Sequence, residues 1–471
     1  MRVRPKRSCP KIRVALATLF LTGCQAARDD VSMSTLHPDR AATIEAMAGE
    51  LREGDPWPAI REERIETTLP GAMDAVGVEA WLVLSRENNN DPIAVHVGGE
   101  DAGRLAAFLF VRVESGVDRV IITSDSEGIT VQERFASARV TTYGGQVGAF
   151  EAIAREVRAA GVETVAVNRS DLAAADGLSA TQLGQLQAAL GAPWSDRLVS
   201  SEELVIRWLA AKIPSELELI RKAAVLTDLL EYELFEMVVP GETTNGDMHL
   251  WMRDRIEGLG LGHSWPANPG ITTGLDRGRG SDLERVIQPG DLINIDAGIA
   301  VYDLWRTDLQ RFAYILKPGE ELPPDSIQYA WETARLSSRR MLEAMGPGQK
   351  GWEVDRVQVE TQVERGSLPH WASTGHPVGY WTHDVGPRIG GYTANGPPPS
   401  GNAARELEPG MMFGYDGNYV WPATDAGISG TKSITIEEMR LVTATGAEYM
   451  SEPQEELVLI TAVGGVVRSE R

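Results

Sequence analysis

"DLINIDAGIAVYDLWRTDLQRFAYIL", residues 291–316, carries four aspartates, of which Asp296 and Asp308 decide its reading. Asp296 ends one apolar strand and Asp308 sits early in the next. A hairpin would bring both carboxylates to one end of a sheet. Adjacent carboxylates repel and are costly unless they share a proton or a cation. Taken alone, Asp-Ala-Gly is most often just a turn, so the reading depends on what the remaining chain supplies.

Three segments downstream change the weighing. "EPGMMFGYDGNYVWP" (408–422) places Asp416 on a strand after a Pro-Gly turn, and "SITIEEMRLVT" (433–443) places Glu437 inside an alternating strand. A carboxylate that interrupts a β pattern is unfavourable in a core without a partner. "TGHPVGYWTHDVG" (374–386) adds His376 and His383, seven residues apart, out of seven histidines in the chain. Asp296, Asp308, His376, Asp416 and Glu437 make one imidazole and four carboxylates near strand ends. Hard oxygen ligands with a single nitrogen suit a pair of Mn²⁺, Co²⁺ or Zn²⁺ ions.

In order and spacing these segments resemble the pita-bread metallopeptidases of family M24: methionine aminopeptidase, aminopeptidase P and prolidase. The resemblance rests on "IDAG" (Asp296), "TDLQR" (Asp308), "GHPVG" (His376), "PGMMFGYDG" (Asp416) and "ITIEE" (Glu437), and covers about 212–471. It implies an α+β architecture with a C-terminal pita-bread fold, the five residues as ligands of two divalent metal ions (Mn, Co or Zn), and a homodimer. It also implies an Xaa-Pro aminopeptidase- or prolidase-like reaction, in which a metal-activated hydroxide hydrolyses a peptide bond before proline. His383 stands where the family keeps a histidine beside the substrate, as a proton-transfer or hydrogen-bonding group, and Asp416 stands where a ligand doubles as a candidate general base.

Three departures accompany the match. Asp416 replaces a glutamate and reaches ~1.5 Å less. The step from Asp296 to Asp308 is one residue longer than in the family, which implies a bulge or a longer turn. Arg279 stands where relatives carry a histidine. Arginine cannot shuttle protons near neutral pH, but it can anchor a carboxylate through two parallel hydrogen bonds, either that of the substrate or that of nearby Asp282 or Glu284. The alternative reading is a catalytically altered pita-bread protein, either a lipid-anchored binding module or a metal-free creatinase-like hydrolase. His370 has no counterpart in the motifs, and His263 in "GHSWP" is ambiguous.

Upstream, short apolar runs alternate with amphipathic helices from 57 to 210. The expected strands are 80–84, 106–113, 119–123, 138–143 and 164–167, and the expected helices are 149–160, 180–190 and 202–211. Alternation of this kind predicts an α/β domain, and the segment resembles the creatinase-type N-terminal domain of aminopeptidase P and prolidase. A helix starting at Pro214 and two more near 325–345 and 352–365 are expected in the 212–471 domain.

The opening "MRVRPKRSCPKIRVALATLFLTGCQ" puts basic residues before a short apolar run and ends on "LTGC". A basic start, a short apolar stretch and small residues make a secretory signal over 1–23. "LTGC" resembles a bacterial lipobox, with Cys24 lipidated and a tether over 24–56 that ends in a helix at 38–52. Gln25 after the cysteine implies the outer membrane, on the periplasmic side. Cys9 and Cys24 are the only cysteines, so a chain processed at Cys24 has no disulfide. A net charge of −22 argues against nucleic acid as a partner; the expected partners are a peptide substrate and, through the lipid, a membrane.

Overall fold

The computed structural model describes residues 38–274, 282–368, 374–422 and 431–468. The N-terminal half is built on a mixed sheet in the order β4-β3-β2-β1-β5-β6. Its strands are β1 (Ala80–Ser85), β2 (Ala106–Val113), β3 (Gly116–Ser124), β4 (Arg139–Tyr143), β5 (Val165–Val167) and β6 (Leu198–Ser200). The five expected strands and three expected helices form within three residues of their expected ends. The exception in kind is β6, three residues of which only Leu198 is buried, too short and too exposed to leave a periodic signal.

Strand β1 is buried along its whole length, and its period-2 alternation feeds two cores. Leu82 and Leu84 meet Ile153, Val157 and Leu186 from the helices Ala149–Ala160 and Ala180–Leu190. Trp81 and Val83 face the other way, into a core that holds Ile60, Leu69 and Trp208 and continues into Ile220, Ile293, Trp305 and Leu309 of the C-terminal half. The helix expected at 38–52 forms at Pro38–Glu50. Ile44 and Ala48 lie in this same core, and Arg40 pairs with Glu236. From Pro38 onward the expected tether is therefore packed chain.

The C-terminal half contains three sheets, ordered β11-β10-β7, β18-β17-β12-β9-β8 and β13-β14-β15-β16. Strands β7 to β12 are Gly262–His263, Gly270–Thr273, Leu292–Ala297, Ile299–Val301, Trp305–Arg306 and Leu309–Ile315; β13 to β18 are Gly375–Pro377, Met412–Pro422, Thr431–Val442, Ala447–Tyr449, Val458–Ile460 and Val466–Arg468. The Pro214–Phe235 helix packs on β9, β10 and β12, while the Asp325–Ala344 helix packs on β14 and β15. Proline at the first position of the Pro214–Phe235 helix sacrifices no hydrogen bond, and the Glu216 carboxylate accepts the Ile213 N–H at 3.0 Å. Sheets thus lie between helices, with strands β12 and β15 touching in the middle.

The quoted hairpin exists with an inner one inside it. β9 and β12 pair antiparallel, with Ala297 opposite Leu309 and Asp296 opposite Gln310, so Asp296 and Asp308 stand at the same end. Between them β10 and β11 form a second hairpin. Its turn holds Tyr302 and Asp303 at φ 53° and closes with Leu304 N–H to Val301 O at 3.1 Å. The twelve-residue step from Asp296 to Asp308 thus runs through this inner hairpin. Gly298 of "DAG" is required by close approach: an added Cβ would lie 2.0 Å from Thr307 O.

Candidate metal centre

Asp308, His376 and Glu437 each present one ligand-type atom, and the three atoms lie within 4.8 Å of one another. His376 Nε2 is 3.5 Å from Asp308 Oδ2 and 3.5 Å from Glu437 Oε1. These separations exceed hydrogen-bond length, while two buried carboxylates and an imidazole converge on one point. Hard oxygen with one nitrogen is the donor set that Mn²⁺, Co²⁺ or Zn²⁺ takes, so the residues fit a divalent cation. His376 Nδ1 lies 3.2 Å from Pro377 O. A proton on Nδ1 donates to that carbonyl and leaves the Nε2 lone pair towards the carboxylates.

Backbone register explains why these residues meet. His376 on β13 stands opposite Gly414 on β14, and Gly414 stands opposite Met439 on β15, two residues from Glu437. Gly414 has no side chain to spare: a Cβ there would sit 2.7 Å from Glu437 Oε1 and 3.1 Å from Val378 Cγ2. The other Glu437 oxygen, Oε2, accepts a hydrogen bond from Gln310 Nε2 at 2.8 Å.

His383 leaves from a loop that is pinned at several points. Asp384 accepts from Tyr380 N–H at 2.9 Å and Val385 N–H at 2.7 Å, and forms a buried pair with Lys212 at 3.0 Å. Thr382 Oγ1 donates to Ser264 O at 2.7 Å. The His383 ring meets His376 edge-to-face, with centroids 4.4 Å apart, yet the residue is exposed. Partial burial and the neighbouring His376 lower its pKa, with Glu437 opposing them. The imidazole is therefore neutral near pH 7.

Behind the ligand-bearing strands runs a buried chain of charges. Arg311 donates to Asp228 at 2.6 Å and to Glu438 at 3.1 Å; Arg335 reaches Glu438 at 3.3 Å and Glu455 at 2.8 Å. Arg311 and Glu438 each follow a site residue, Gln310 and Glu437, and by strand alternation face the opposite way. Burial alone would lower the Arg311 pKa, but Glu438 and Asp228 hold it well above its ordinary value. The buried Glu231 carboxyl close by is pushed well up by burial, against the pull of Arg311.

Of the five expected ligands, the structure gathers Asp308, His376 and Glu437. Asp296 is half-buried on β9 and does not join that three-residue group. Asp416 lies on β14 directly opposite Glu437 in the register. Arg279, His370 and Cys24 lie outside the described residues. His263 is taken up by Asn268 at 3.1 Å and Glu257 at 3.3 Å. Gln310, Asn294 and Thr435 were not singled out from sequence. The available signal was alternation, since Asn294 and Gln310 fall two residues from Asp296 and Asp308 and so share their strand faces.

Residues 218–444 match metallopeptidase family M24. The probable dipeptidase PepE of Mycobacterium tuberculosis is 24% identical over 268 residues, which is 56% of this chain; the match spans 64% of that relative's length. Among solved structures, X-Pro aminopeptidase from Thermotoga maritima superposes with TM-score 0.62 at 19% identity, over 83% of this chain and 100% of that one. Prolidase from Pyrococcus furiosus gives 0.56 at 17% identity, over 82% and 100%. The fold is thus the α+β pita-bread arrangement preceded by an N-terminal domain. Residues 218–444 are thus similar to metallopeptidase family M24.

Proposed function

We propose that this chain is a metal-dependent peptidase of the Xaa-Pro aminopeptidase or prolidase kind, cutting the peptide bond before proline with two divalent ions (Mn, Co or Zn). The observation that carries the reading is the Asp308–His376–Glu437 convergence with exposed His383 set edge-to-face against His376. Bound divalent cations supply Lewis-acid polarisation of the scissile carbonyl and of water. Asp308, His376 and Glu437 hold them, with Asp296 on the adjacent strand and Asp416 opposite Glu437 as the remaining candidates. His383, neutral near pH 7, donates a ring N–H to the oxygen on which charge develops. Its exposure lets it exchange that proton with solvent.

The test is hydrolysis of a panel of Xaa-Pro peptides, with metal content measured on the same preparation. Chelation should abolish hydrolysis and lower the melting temperature together, and Mn²⁺ or Co²⁺ should restore both. Full hydrolysis by metal-free protein would overturn the reading in favour of a creatinase-like hydrolase. Silence of the Mn²⁺-loaded protein towards every peptide would favour a binding module.

The proposal extends to location: a homodimer lipidated at Cys24 on the periplasmic side of the outer membrane, supported by the "LTGC" sequence and the family resemblance. No helix among the described residues is long and apolar enough to cross a membrane. Cys24→Ser should release the protein from the membrane fraction or leave it unprocessed; unchanged fractionation and migration would remove the anchor.

A further inference from the structure

We propose that Gln310 is a positioning residue for the Glu437 carboxylate and sets how tightly the site holds a divalent cation, an inference that rests on the metallopeptidase reading above. Gln310 is buried, at 4% exposure. Its Nε2 donates to Glu437 Oε2 at 2.8 Å, and its Oε1 accepts from Asn294 Nδ2 at 3.1 Å and Thr435 Oγ1 at 3.2 Å. The four side chains come from β9, β12 and β15, so this amide bridge joins two sheets that share no backbone ladder.

An amide can be turned end for end, and its neighbours decide which way it sits. Here an ionised Glu437 accepts only, so the NH₂ end of Gln310 must face it. The carbonyl end then meets two donors. Reversal would set Gln310 oxygen against carboxylate oxygen and amide against amide. The bond is therefore directional, and it fixes the rotation of the Glu437 carboxylate. With Oε2 held, Oε1 is the oxygen left 3.5 Å from His376 Nε2.

The choice of a neutral amide matters as well. A lysine or arginine in this place would neutralise the carboxylate that a cation needs. An apolar side chain would leave Oε2 buried without this donor, at a cost in desolvation. A shorter one could not reach from β12 to β15. Across the strand pair, Gln310 also stands opposite Asp296, so one side chain sits between two expected ligand positions.

The test uses Gln310→Met, which keeps length and volume but removes both hydrogen-bonding ends. Mn²⁺ affinity is measured by calorimetry, and the visible spectrum is recorded with Co²⁺ bound. Melting of the metal-free protein is followed in parallel. The variant should bind Mn²⁺ roughly 10–100-fold more weakly, as loss of a hydrogen bond to a metal ligand typically does, with an altered Co²⁺ spectrum. A purely structural role would lower the melting temperature and leave affinity and spectrum as in wild type, which would overturn the proposal. Should Gln310→Met fail to fold, Thr435→Val decides instead. It removes one of the two donors that aim the amide and should weaken Mn²⁺ binding by about 2–10-fold; wild-type affinity there would overturn the proposal equally. Wild-type protein that binds no divalent cation would overturn the metallopeptidase reading and this inference together. Wild-type binding with unaltered variants would overturn this inference alone.

Discussion

Gly414→Ala should damage the site more than its size suggests. The new methyl carbon would stand 2.7 Å from Glu437 Oε1, where ordinary contact begins at 3.4 Å, a shortfall of about 0.7 Å. Val378 at 3.1 Å closes the other direction, and Glu437 Oε2 is tied to Gln310. The carboxylate must therefore tilt or its strand must shift. Metal–ligand distances hold to within about 0.2 Å of their standard values, so a shift of this size should weaken Mn²⁺ binding by at least ~10-fold. A misplacement of about 1 Å costs on the order of 10²-fold in rate, and kcat/KM for an Xaa-Pro dipeptide should fall by roughly that factor. Calorimetric Mn²⁺ titration and dipeptide hydrolysis, with melting of the metal-free protein as the control for folding, provide the assay. A Gly414→Ala protein with wild-type Mn²⁺ affinity and rate would refute the placement of Glu437 at the site.

The two histidines should separate by phenotype. His376→Ala should lose both metal and activity, whereas His383→Ala should keep the metal and lower kcat by roughly 10²–10⁴-fold; equal metal loss in both would contradict these roles. A third prediction concerns Asp91 in the N-terminal half. Burial raises its carboxyl to about 6, despite hydrogen bonds from Ile93 N–H and the Asn168 amide. The folded state then holds this proton more tightly than the unfolded chain, so stability should fall as pH rises from about 4 to about 6 and level off above. Asp91→Asn should flatten that slope in melting curves taken across the interval, and an unaltered slope would refute the assignment.

The parts of this protein that could be read from sequence share one property, a short repeat period. Helices 149–160 and 180–190 and strand 106–113 announce themselves through alternation, and the structure places them at the expected residues. Glu437 was legible because an acid inside an alternating strand is costly without a partner, and His376 because "GHPVG" resembles a family motif. What stayed hidden depends on contacts between distant segments. Gln310 is an ordinary strand residue until Glu437, 127 positions away, is folded against it. Lys212 and Asp384, 172 positions apart, carry no local mark of their pairing. The twelve-residue step from Asp296 to Asp308 was visible as a count, but the inner β10–β11 hairpin that it encloses was not.

The core shared by the two halves ties the history of the C-terminal half to that of its companion. Arg64 donates to Glu216 at 2.6 Å, and the same carboxylate accepts from Trp305 and Tyr380. His96 packs on Tyr380 with ring centroids 4.3 Å apart, and Trp57 packs on Trp305 at 5.6 Å. A gene rearrangement that exchanged the first two hundred residues would strand a buried Glu216 charge and strip the aromatic wall from Tyr380. Tyr380 begins the very loop that carries His383. Inheritance of this fold is therefore inheritance of both halves as a pair: a substitution at Arg64 or His96 has to be answered in the C-terminal half, and the seam between them should change more slowly than the outer faces of either.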